Sequence, residues 1–288
     1  MKILLTGAAG QLGWELQRRI PANVRLTPMT RVELDVGDAN QVQKAVRAID
    51  PDWIINASAY TAVDRAESEP EAAFRVNEQG ARNLAQAAAD NGARLLHVST
   101  DFVFDGEAGA PRRPDDPASP LGVYGESKWR GEQAIRELLG DDALIIRTAW
   151  VYSAHGHNFV KTMLRLMNER DEINVVEDQI GTPTWAAELA RVVFLAVARD
   201  LRGVYHWTDA GVASWYDFAV AIQSLGRQLG LLESDATIRP IPTQAYPLPA
   251  RRPANSALDK QALREAVGHT GLHWREALKN MLKELRDV

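Results

Sequence analysis

A glycine-rich turn near the N-terminus constrains the fold more than any other stretch of the chain. The apolar run at residues 3–5 is typical of a strand buried in a parallel sheet, the sequence GAAGQLG follows at 7–13, and residues 14–20 have a helical pattern. Glycines at a strand-to-helix turn permit close approach of the backbone to a pyrophosphate. The helix N-terminus adds free N–H groups and the positive end of its dipole.

The spacing of these glycines is G-x-x-G-x-x-G, which differs from the G-x-G-x-x-G of ordinary dehydrogenases. Three glycines alone are a weak signal, but their position directly after a first strand makes the signal specific. The turn predicts an α/β fold with a Rossmann-type doubly wound parallel sheet. The residues of the turn that are expected to bind a dinucleotide are Gly7, Gly10, Gln11, Leu12 and Gly13.

Strands and helices alternate along the first half of the chain. The predicted strands are 24–29, 52–57, 94–99 and 144–147, and the helices between them are 39–49, 71–91 and 127–139. Such alternation is typical of a parallel sheet with helices on both faces. Beyond about residue 150 the alternation loosens. We therefore predict an NAD(P)-binding Rossmann domain at 1–150, with 181–203 packing back onto it, and a smaller C-terminal substrate-binding lobe formed by 151–180 and 204–288.

The end of the second predicted strand bears on the choice of cofactor. A dinucleotide-binding unit often has an acidic residue there for the adenosine ribose, whereas this chain has Thr30 and Arg31. An arginine can attract the 2′-phosphate of NADPH, but Glu33 and Asp35 lie close by, so NADPH and NADH both stay open. After the third strand, small residues leave room for a cofactor against the backbone. The expected cofactor contacts beyond the glycine-rich turn are Thr30, Arg31, Asp35, Val36, Ala57, Ser58, Ala59 and Tyr60.

Tyr124 and Lys128 are four residues apart where a helix is predicted, so both side chains lie on one helix face, one turn apart. An ammonium beside a phenol favours the phenolate and lowers its pKa, which gives a usable acid or base. Thr100 and Asp101 leave the carboxyl end of the fourth strand, where ligands bind in open α/β sheets. Asn77, in the middle of the long helix before that strand, is expected to be a solvated polar residue.

Composition and charge exclude several classes of function. The net charge of −5 gives no reason to expect nucleic acid or an anionic membrane as a partner. The chain has no cysteine, which excludes disulfides, thiol catalysis and cysteine zinc sites. No signal peptide is recognised, and no apolar run approaches the roughly 20 residues that span a bilayer. We therefore expect a cytoplasmic enzyme.

Four motifs resemble those of the extended short-chain dehydrogenase/reductase family in their order and spacing. They occupy residues 6–13, 56–59, 99–101 and 124–128. The resemblance implies a Rossmann sheet, bound NADPH or NADH, and a catalytic set of Thr100, Tyr124 and Lys128. In this set the tyrosine donates a proton, the lysine holds the nicotinamide ribose and lowers the tyrosine pKa, and the threonine positions the sugar oxygen. Tyr124 and Lys128 are therefore also expected cofactor contacts.

Further motifs resemble the members of that family that reduce the 4-keto group of dTDP-4-dehydro-L-rhamnose, a step toward cell-wall polysaccharide. These motifs lie at 99–106, 147–152, 158–163, 178–184 and 249–253. Related 4,6-dehydratases have a glutamate where this chain has Phe102, so net reduction is expected rather than elimination of water. The nucleotide-sugar substrate is expected to contact Thr100, Asp101, Trp150, Gln179, Thr182, Trp215 and Arg252, with Arg251 as a second candidate for the diphosphate.

The resemblance also raises Mg²⁺ and a homodimer as expectations. Some members hold Mg²⁺ at a dimer interface with acidic side chains; Glu15 and Glu188 match two of those positions, whereas Val192 aligns with a further aspartate. The carboxylate set that a hard cation needs is therefore incomplete. Two alternative functions stay open. One is a catalytically idle NAD(P)-binding regulatory subunit, which is expected to lose parts of the Thr–Tyr–Lys set that this chain keeps. The other is a reductase of another nucleotide sugar.

Overall fold

The computed structural model describes residues 1–287, which form a central parallel sheet flanked by helices. The strands are β1 (Lys2–Thr6), β2 (Arg25–Met29), β3 (Trp53–Asn56), β4 (Arg94–Thr100), β5 (Leu144–Thr148), β6 (Val151–Tyr152), β7 (Glu172–Val176), β8 (Ile180–Gly181), β9 (Thr184–Trp185), β10 (Gly203–His206), β11 (Ala213–Ser214) and β12 (Thr237–Ile241). The helices are α1 (Gln11–Arg18), α2 (Ala39–Ile49), α3 (Val63–Ala66), α4 (Pro70–Phe74), α5 (Gly80–Asn91), α6 (Val123–Leu139), α7 (Phe159–Glu169), α8 (Ala186–Ala198), α9 (Trp215–Gln228), α10 (Gln261–Val267) and α11 (Trp274–Arg286). Of these described helices, none is long and apolar enough to cross a bilayer.

The central sheet has six strands in the order β10-β5-β4-β3-β1-β2, and every neighbouring pair is parallel. The chain moves from β1 outward to β2 and then continues from β3 in the opposite direction. The strand order therefore reverses between β1 and β3, and a ligand crevice forms outside the carboxyl ends of strands at such a switch point. This topology confirms the predicted doubly wound Rossmann-type sheet.

Both faces of the sheet are covered, which explains the continuous apolar runs of its strands. Ile3 and Leu5 of β1 pack on one face with residues of α1 and α8. Leu4, between them, points to the other face and packs with residues of α2, α5 and α6. All three side chains are fully buried, and each contributes about 1.5–3 kcal/mol relative to an exposed side chain.

A second, smaller core lies beyond the central sheet. It is formed by residues of α7, α9 and α11, including Val160, Phe218 and Met281, beside the parallel pair β7–β12. The chain also returns to the central sheet, since β10 pairs with β5 at its edge. The sequence-based division assigned residues 204–206 of this strand to the substrate-binding lobe; the division itself stays a prediction.

The long helix expected at 71–91 is interrupted. A π-helical turn, Arg75–Gln79, separates α4 from α5, and such turns are frequent at functional sites. The turn packs closely on α6, because a Cβ added at Gly131 would lie 2.2 Å from the Asn77 carbonyl oxygen. Helix α6 begins at Val123, four residues before the predicted start, so that Tyr124 lies in its first turn.

Candidate active site

The glycine-rich turn lies at the switch point, between β1 and α1. Gly7 has φ +73°, and a Cβ at this residue would lie 2.6 Å from the Ala57 backbone. A Cβ at Gly13 would lie 2.2 Å from the Gly7 carbonyl oxygen. Only glycine fits at these two positions. No side chain caps the start of α1, which leaves its first N–H groups free for an anion.

Two adjoining cavities of about 400 and 350 Å³ form a trough along the crevice. The predicted residues that line the inner cavity are Gly10, Gln11, Leu12, Ala57, Ala59, Tyr124 and Lys128. Those that line the outer cavity are Gly7, Gly10, Arg31, Asp35, Val36, Ala57, Ser58, Ala59 and Tyr60. Gly13 lies beneath the turn instead, and Thr30 closes a local turn through its bonds to Glu33. The structure thus brings most of the predicted cofactor contacts to one surface.

The acidic side chains at the outer cavity are engaged locally. The Arg75 guanidinium donates to the Asp35 carboxylate at 2.5 Å and holds the pKa of Asp35 below its usual value. Glu33 accepts from the backbone N–H and the hydroxyl of Thr30, both at 2.8 Å. Arg31 is an exposed cation on the cavity wall. Arg31 therefore gives the outer cavity an exposed positive charge. The sequence alone had left the choice between NADPH and NADH open.

Tyr124 and Lys128 line the inner cavity from α6, and the Thr100 hydroxyl adjoins that of Tyr124. Lys128 is 1% exposed, and burial lowers its pKa to about 8, against the opposing effect of Glu132. Burial raises the pKa of Tyr124 to about 12, and the Thr100 hydroxyl offsets only part of this rise.

The sequence-based expectation that Lys128 lowers the Tyr124 pKa is wrong for this structure. The physical reason is that the Lys128 ammonium nitrogen is directed at β4, where Nζ lies 2.7 Å from the Val98 carbonyl oxygen and 3.1 Å from His97 Nε2. Desolvation of the phenolate therefore dominates. Tyr124 is a neutral phenol near pH 7 and has a proton to donate.

Asp101 lies beside this group and is itself 2% exposed. Its Oδ1 accepts from the Thr100 hydroxyl at 2.9 Å, and the Thr100 oxygen in turn accepts from the Phe102 backbone N–H at 3.2 Å. Burial raises the pKa of Asp101 to about 6. The Phe102 ring meets Tyr124 edge-on, with ring centroids 5.5 Å apart. The two hydrogen bonds fix the orientation of the Thr100 hydroxyl, and the Phe102 contact holds the Tyr124 ring.

Trp150 and Trp215 stack on each other beyond the carboxyl end of β5. Their ring centroids are 3.6 Å apart and their planes differ by 9°. Trp150 has φ +48°, a strained value for a bulky residue, and a Cβ at Gly181 would lie 2.6 Å from its ring. Such strain is often kept at ligand sites, and here it directs the Trp150 ring onto Trp215.

Gln179 and Thr182 make contacts within the second half of the chain. Gln179 Nε2 donates to the Thr243 hydroxyl at 3.1 Å. The Thr182 hydroxyl donates to the Gly211 carbonyl oxygen at 2.9 Å, and its side chain is fully buried. Thr182 therefore supports the fold of its loop, whereas Gln179 connects that loop to the short helical turn Thr243–Ala245.

Arg252 is paired inside the protein, which the sequence did not indicate. Its guanidinium donates to both carboxylate oxygens of Asp64 in α3, at 2.9 and 2.7 Å. This bidentate pair joins the loop at 249–253 to the nucleotide-binding half and lowers the Asp64 pKa. Arg251 is exposed.

The two acidic residues aligned with a magnesium site are engaged elsewhere. Glu15 is fully buried, accepts from the Ser153 hydroxyl at 2.7 Å and pairs with Arg19, and burial raises its pKa. Glu188 binds His269 Nε2 at 2.9 Å. Within residues 1–287, no group of three or more His, Cys, Asp or Glu side chains could hold a metal ion. The expected Mg²⁺ therefore finds no support.

Asn77 is a residue whose role the sequence analysis missed, since it is 1% exposed rather than solvated. Its Oδ1 accepts from the Tyr60 N–H at 2.8 Å, and its Nδ2 donates to the Tyr60 carbonyl at 3.1 Å and to the Ser127 hydroxyl at 3.0 Å. It thereby joins the trough wall to α6. The available signal was its spacing of four residues from Ala73 and Ala81, which lie on the buried face.

His97 is a second missed residue. It lies in the apolar run of β4, is 1% exposed, and contacts both Lys128 and Asn56. The sequence contained a signal for this role: His97 lies inside an apolar strand that ends at the candidate catalytic residue Thr100.

Comparisons with known proteins agree with this geometry. A family model described as the RmlD substrate binding domain matches residues 1–287. The chain is 45% identical over 296 residues to dTDP-4-dehydrorhamnose reductase of Burkholderia thailandensis, with 99% of each chain covered. The crystal structure of a dTDP-4-dehydrorhamnose reductase from Clostridium acetobutylicum is similar, with a TM-score of 0.93, 40% identity, and 99% of this chain and 100% of that chain covered. One from Bacillus anthracis in complex with NADP has a TM-score of 0.92 and 38% identity, with 98% and 99% covered. The chain therefore belongs to the dTDP-4-dehydrorhamnose reductase family.

Proposed function

We propose that this protein uses NADPH to reduce the 4-keto group of dTDP-4-dehydro-L-rhamnose, giving dTDP-L-rhamnose. The observation that carries the proposal is the meeting of Thr100, Tyr124 and Lys128 at the inner end of a trough whose outer end carries Arg31. Relatives that match over their whole length are named for this reductase, and one was solved with NADP.

The trough fits a dinucleotide. Gly7 and Gly13 leave no room for a Cβ beneath it, and the uncapped start of α1 suits a diphosphate. Arg31 would hold the 2′-phosphate and Lys128 the nicotinamide ribose; bound NADPH supplies the hydride for the carbonyl carbon. We infer NADPH rather than NADH because the Asp35 carboxylate is engaged by Arg75, while Arg31 stays exposed.

Tyr124 supplies the proton for the carbonyl oxygen. Its pKa of about 12 keeps the phenol protonated near neutral pH, and an alkoxide is a stronger base than a phenolate, so the transfer is favourable. The neighbouring Thr100 hydroxyl donates its single hydrogen to Asp101 Oδ1 in the ligand-free protein. To stabilise the developing charge on the substrate oxygen it would turn from Asp101 and donate to that oxygen instead. The Asp101 carboxylate and the Phe102 backbone set the orientation of that hydroxyl.

The substrate enters beside the Trp150–Trp215 pair. We place the sugar against these rings and Asp101, and the diphosphate near Arg252, which Asp64 pre-positions, with Arg251 at the surface. Gln179 and Thr182 support this side from the loop between β7 and β9.

The two alternatives are not favoured equally. A catalytically idle regulatory subunit has no need of a lysine and a tyrosine that line one cavity with a threonine hydroxyl beside the tyrosine, so this geometry disfavours it. A reductase of another nucleotide sugar would use the same groups, and only the substrate separates it from the proposed function.

The test is an assay with purified protein, NADPH and dTDP-4-dehydro-L-rhamnose that follows the loss of reduced nicotinamide absorbance at about 340 nm. The proposal predicts oxidation of NADPH in step with formation of dTDP-L-rhamnose, identified by mass spectrometry and NMR. Oxidation only with UDP- or GDP-linked 4-keto sugars would favour the other reductase. Cofactor binding without oxidation of any of these substrates would favour the regulatory subunit.

We also propose that the protein works in the cytoplasm, where NADPH is regenerated, and that it is a homodimer. A depression between α1 and α8, lined by Arg19, Trp185, Glu188 and Phe194, offers apolar surface beside charges for the second copy. Sedimentation at micromolar concentration tests this assembly, and the mass of a single chain would contradict it.

A further inference from the structure

Lys128 lies at the end of a buried hydrogen-bonded chain that crosses three strands. The Thr6 hydroxyl donates to Asn56 Oδ1 at 2.9 Å, Asn56 Nδ2 lies 2.9 Å from His97 Nδ1, and His97 Nε2 lies 3.1 Å from Lys128 Nζ. All four side chains are at most 2% exposed. Because buried polar atoms must satisfy one another, the direction of each bond restricts the next.

The direction is fixed at Asn56. The Ser58 backbone N–H donates to Asn56 Oδ1 at 3.0 Å, and a backbone N–H cannot act as an acceptor. The carboxamide therefore presents its oxygen to Ser58 and Thr6, and its NH₂ to His97. His97 Nδ1 accepts this bond, while burial lowers the pKa of His97 well below its usual value. A neutral imidazole that accepts at Nδ1 carries its hydrogen on Nε2.

That hydrogen is directed at Lys128. An ammonium has three donors and no acceptor, so a charged Nζ would oppose the Nε2–H group. A neutral amine has a lone pair for Nε2–H and still donates to the Val98 carbonyl at 2.7 Å. We propose that His97 is a positioning residue which, fixed as its Nε2–H tautomer by Asn56, holds Lys128 as a neutral amine in the ligand-free protein at alkaline pH. The inference rests on the proposed function only in assigning Lys128 to the cofactor.

At alkaline pH, cofactor binding then charges Lys128 and separates it from His97. Burial favours the amine and Glu132 favours the ammonium, which together place the pKa of Lys128 at about 8. The diphosphate of a bound dinucleotide adds negative charge and favours the ammonium. The other ionisable groups that face this pocket are Tyr124 on α6, His97 on β4, Asp101 beside Tyr124, and His157 across the inner cavity. The Lys128 amine takes one proton from solvent. The resulting ammonium can no longer accept from His97 Nε2–H, so it leaves His97 and turns toward the cofactor.

The tautomer of His97 is measurable without cofactor or substrate. Long-range ¹H–¹⁵N NMR of labelled protein distinguishes the two ring nitrogens, with His97 assigned through the backbone resonances of β4. The spectrum is recorded at about pH 9, between the lowered pKa of Lys128 and the usual lysine pKa of about 10.4. We expect a protonated Nε2 and an unprotonated Nδ1. A protonated Nδ1, or an imidazolium, overturns the inference whatever the protein reduces.

Proton uptake provides the second measurement. Calorimetry of NADPH binding at about pH 9, in two buffers of unequal ionisation enthalpy, counts the protons bound. We expect wild type to take up about one proton and His97→Gln clearly fewer, since the glutamine oxygen accepts from an ammonium and leaves Lys128 already charged. Equal uptake by both proteins contradicts the inference. If NADPH does not bind at all, the proposed function fails, and the tautomer alone decides this inference.

Discussion

Replacing Asn77 by alanine tests whether the π-helical turn supports the cofactor trough. The change removes three hydrogen bonds, two to the Tyr60 backbone and one to the Ser127 hydroxyl. A buried group left unpaired costs about 1–3 kcal/mol, and an ordinary bond contributes about 1 kcal/mol net. We expect a loss of about 3 kcal/mol in the free energy of unfolding, which lowers the melting temperature by roughly 6 °C in a chain of this size.

A second effect is expected on cofactor binding, because Tyr60 lines the outer cavity. The Kd for NADPH, measured by calorimetry where both proteins are fully folded, should rise in the Asn77→Ala variant. The matched control is Asn91→Ala, which removes a single bond to the Ala87 carbonyl at the end of α5. A melting temperature and an NADPH Kd for Asn77→Ala that match those of the control would refute the role assigned to Asn77.

Three further predictions concern the glycine-rich turn, the cofactor phosphate and a buried carboxyl. Gly13→Ala is expected to abolish NADPH binding, because its methyl would lie 2.2 Å from a backbone oxygen. Gly109→Ala, whose added methyl has no atom within 4 Å and which lies outside the trough, should keep NADPH binding; equal binding by both variants would contradict the close contact at Gly13. Arg31→Ala is expected to raise the Kd for NADPH roughly 10–100-fold, the equivalent of about 1.5–3 kcal/mol, and to leave that for NADH unchanged; Arg25→Ala, at the other end of β2, should change neither. The raised pKa of Asp101, about 6, means that the folded state binds this proton more tightly than the unfolded state, so wild-type stability is full below about pH 4 and falls as pH rises through about 6. Asp101→Asn should therefore be more stable than wild type by up to about 3 kcal/mol at pH 7 and equal to it near pH 4, and a difference independent of pH in urea unfolding would contradict this reasoning.

The nucleotide-binding half was predictable because its signals are local. Residues 3–5 are apolar on both faces of β1, and the close contacts of Gly7 and Gly13 follow from a tight strand-to-helix turn. The spacing of Tyr124 and Lys128 placed both on the wall of one cavity. Each of these features depends on residues a few positions apart, which periodicity and spacing record directly.

The features that escaped prediction depend on contacts between distant segments. Arg252 meets Asp64 across 188 positions of the chain, and Asn77 meets Ser127 across 50. The pKa of Tyr124 depends on its desolvation in the folded chain, which outweighs the helix-face spacing to Lys128. Neither charge pattern nor amphipathic spacing contains this information, so these roles required the folded structure.

The most direct test of the proposed chemistry is the single-turnover rate at which NADPH is oxidised by dTDP-4-dehydro-L-rhamnose, compared between wild type and Tyr124→Phe. Because the phenol is the assigned proton donor and its ring contacts are retained in phenylalanine, we expect unchanged NADPH affinity and a rate lower by roughly 10²–10⁴-fold. A Tyr124→Phe variant that turns over at the wild-type rate would contradict the assignment of Tyr124 as the acid.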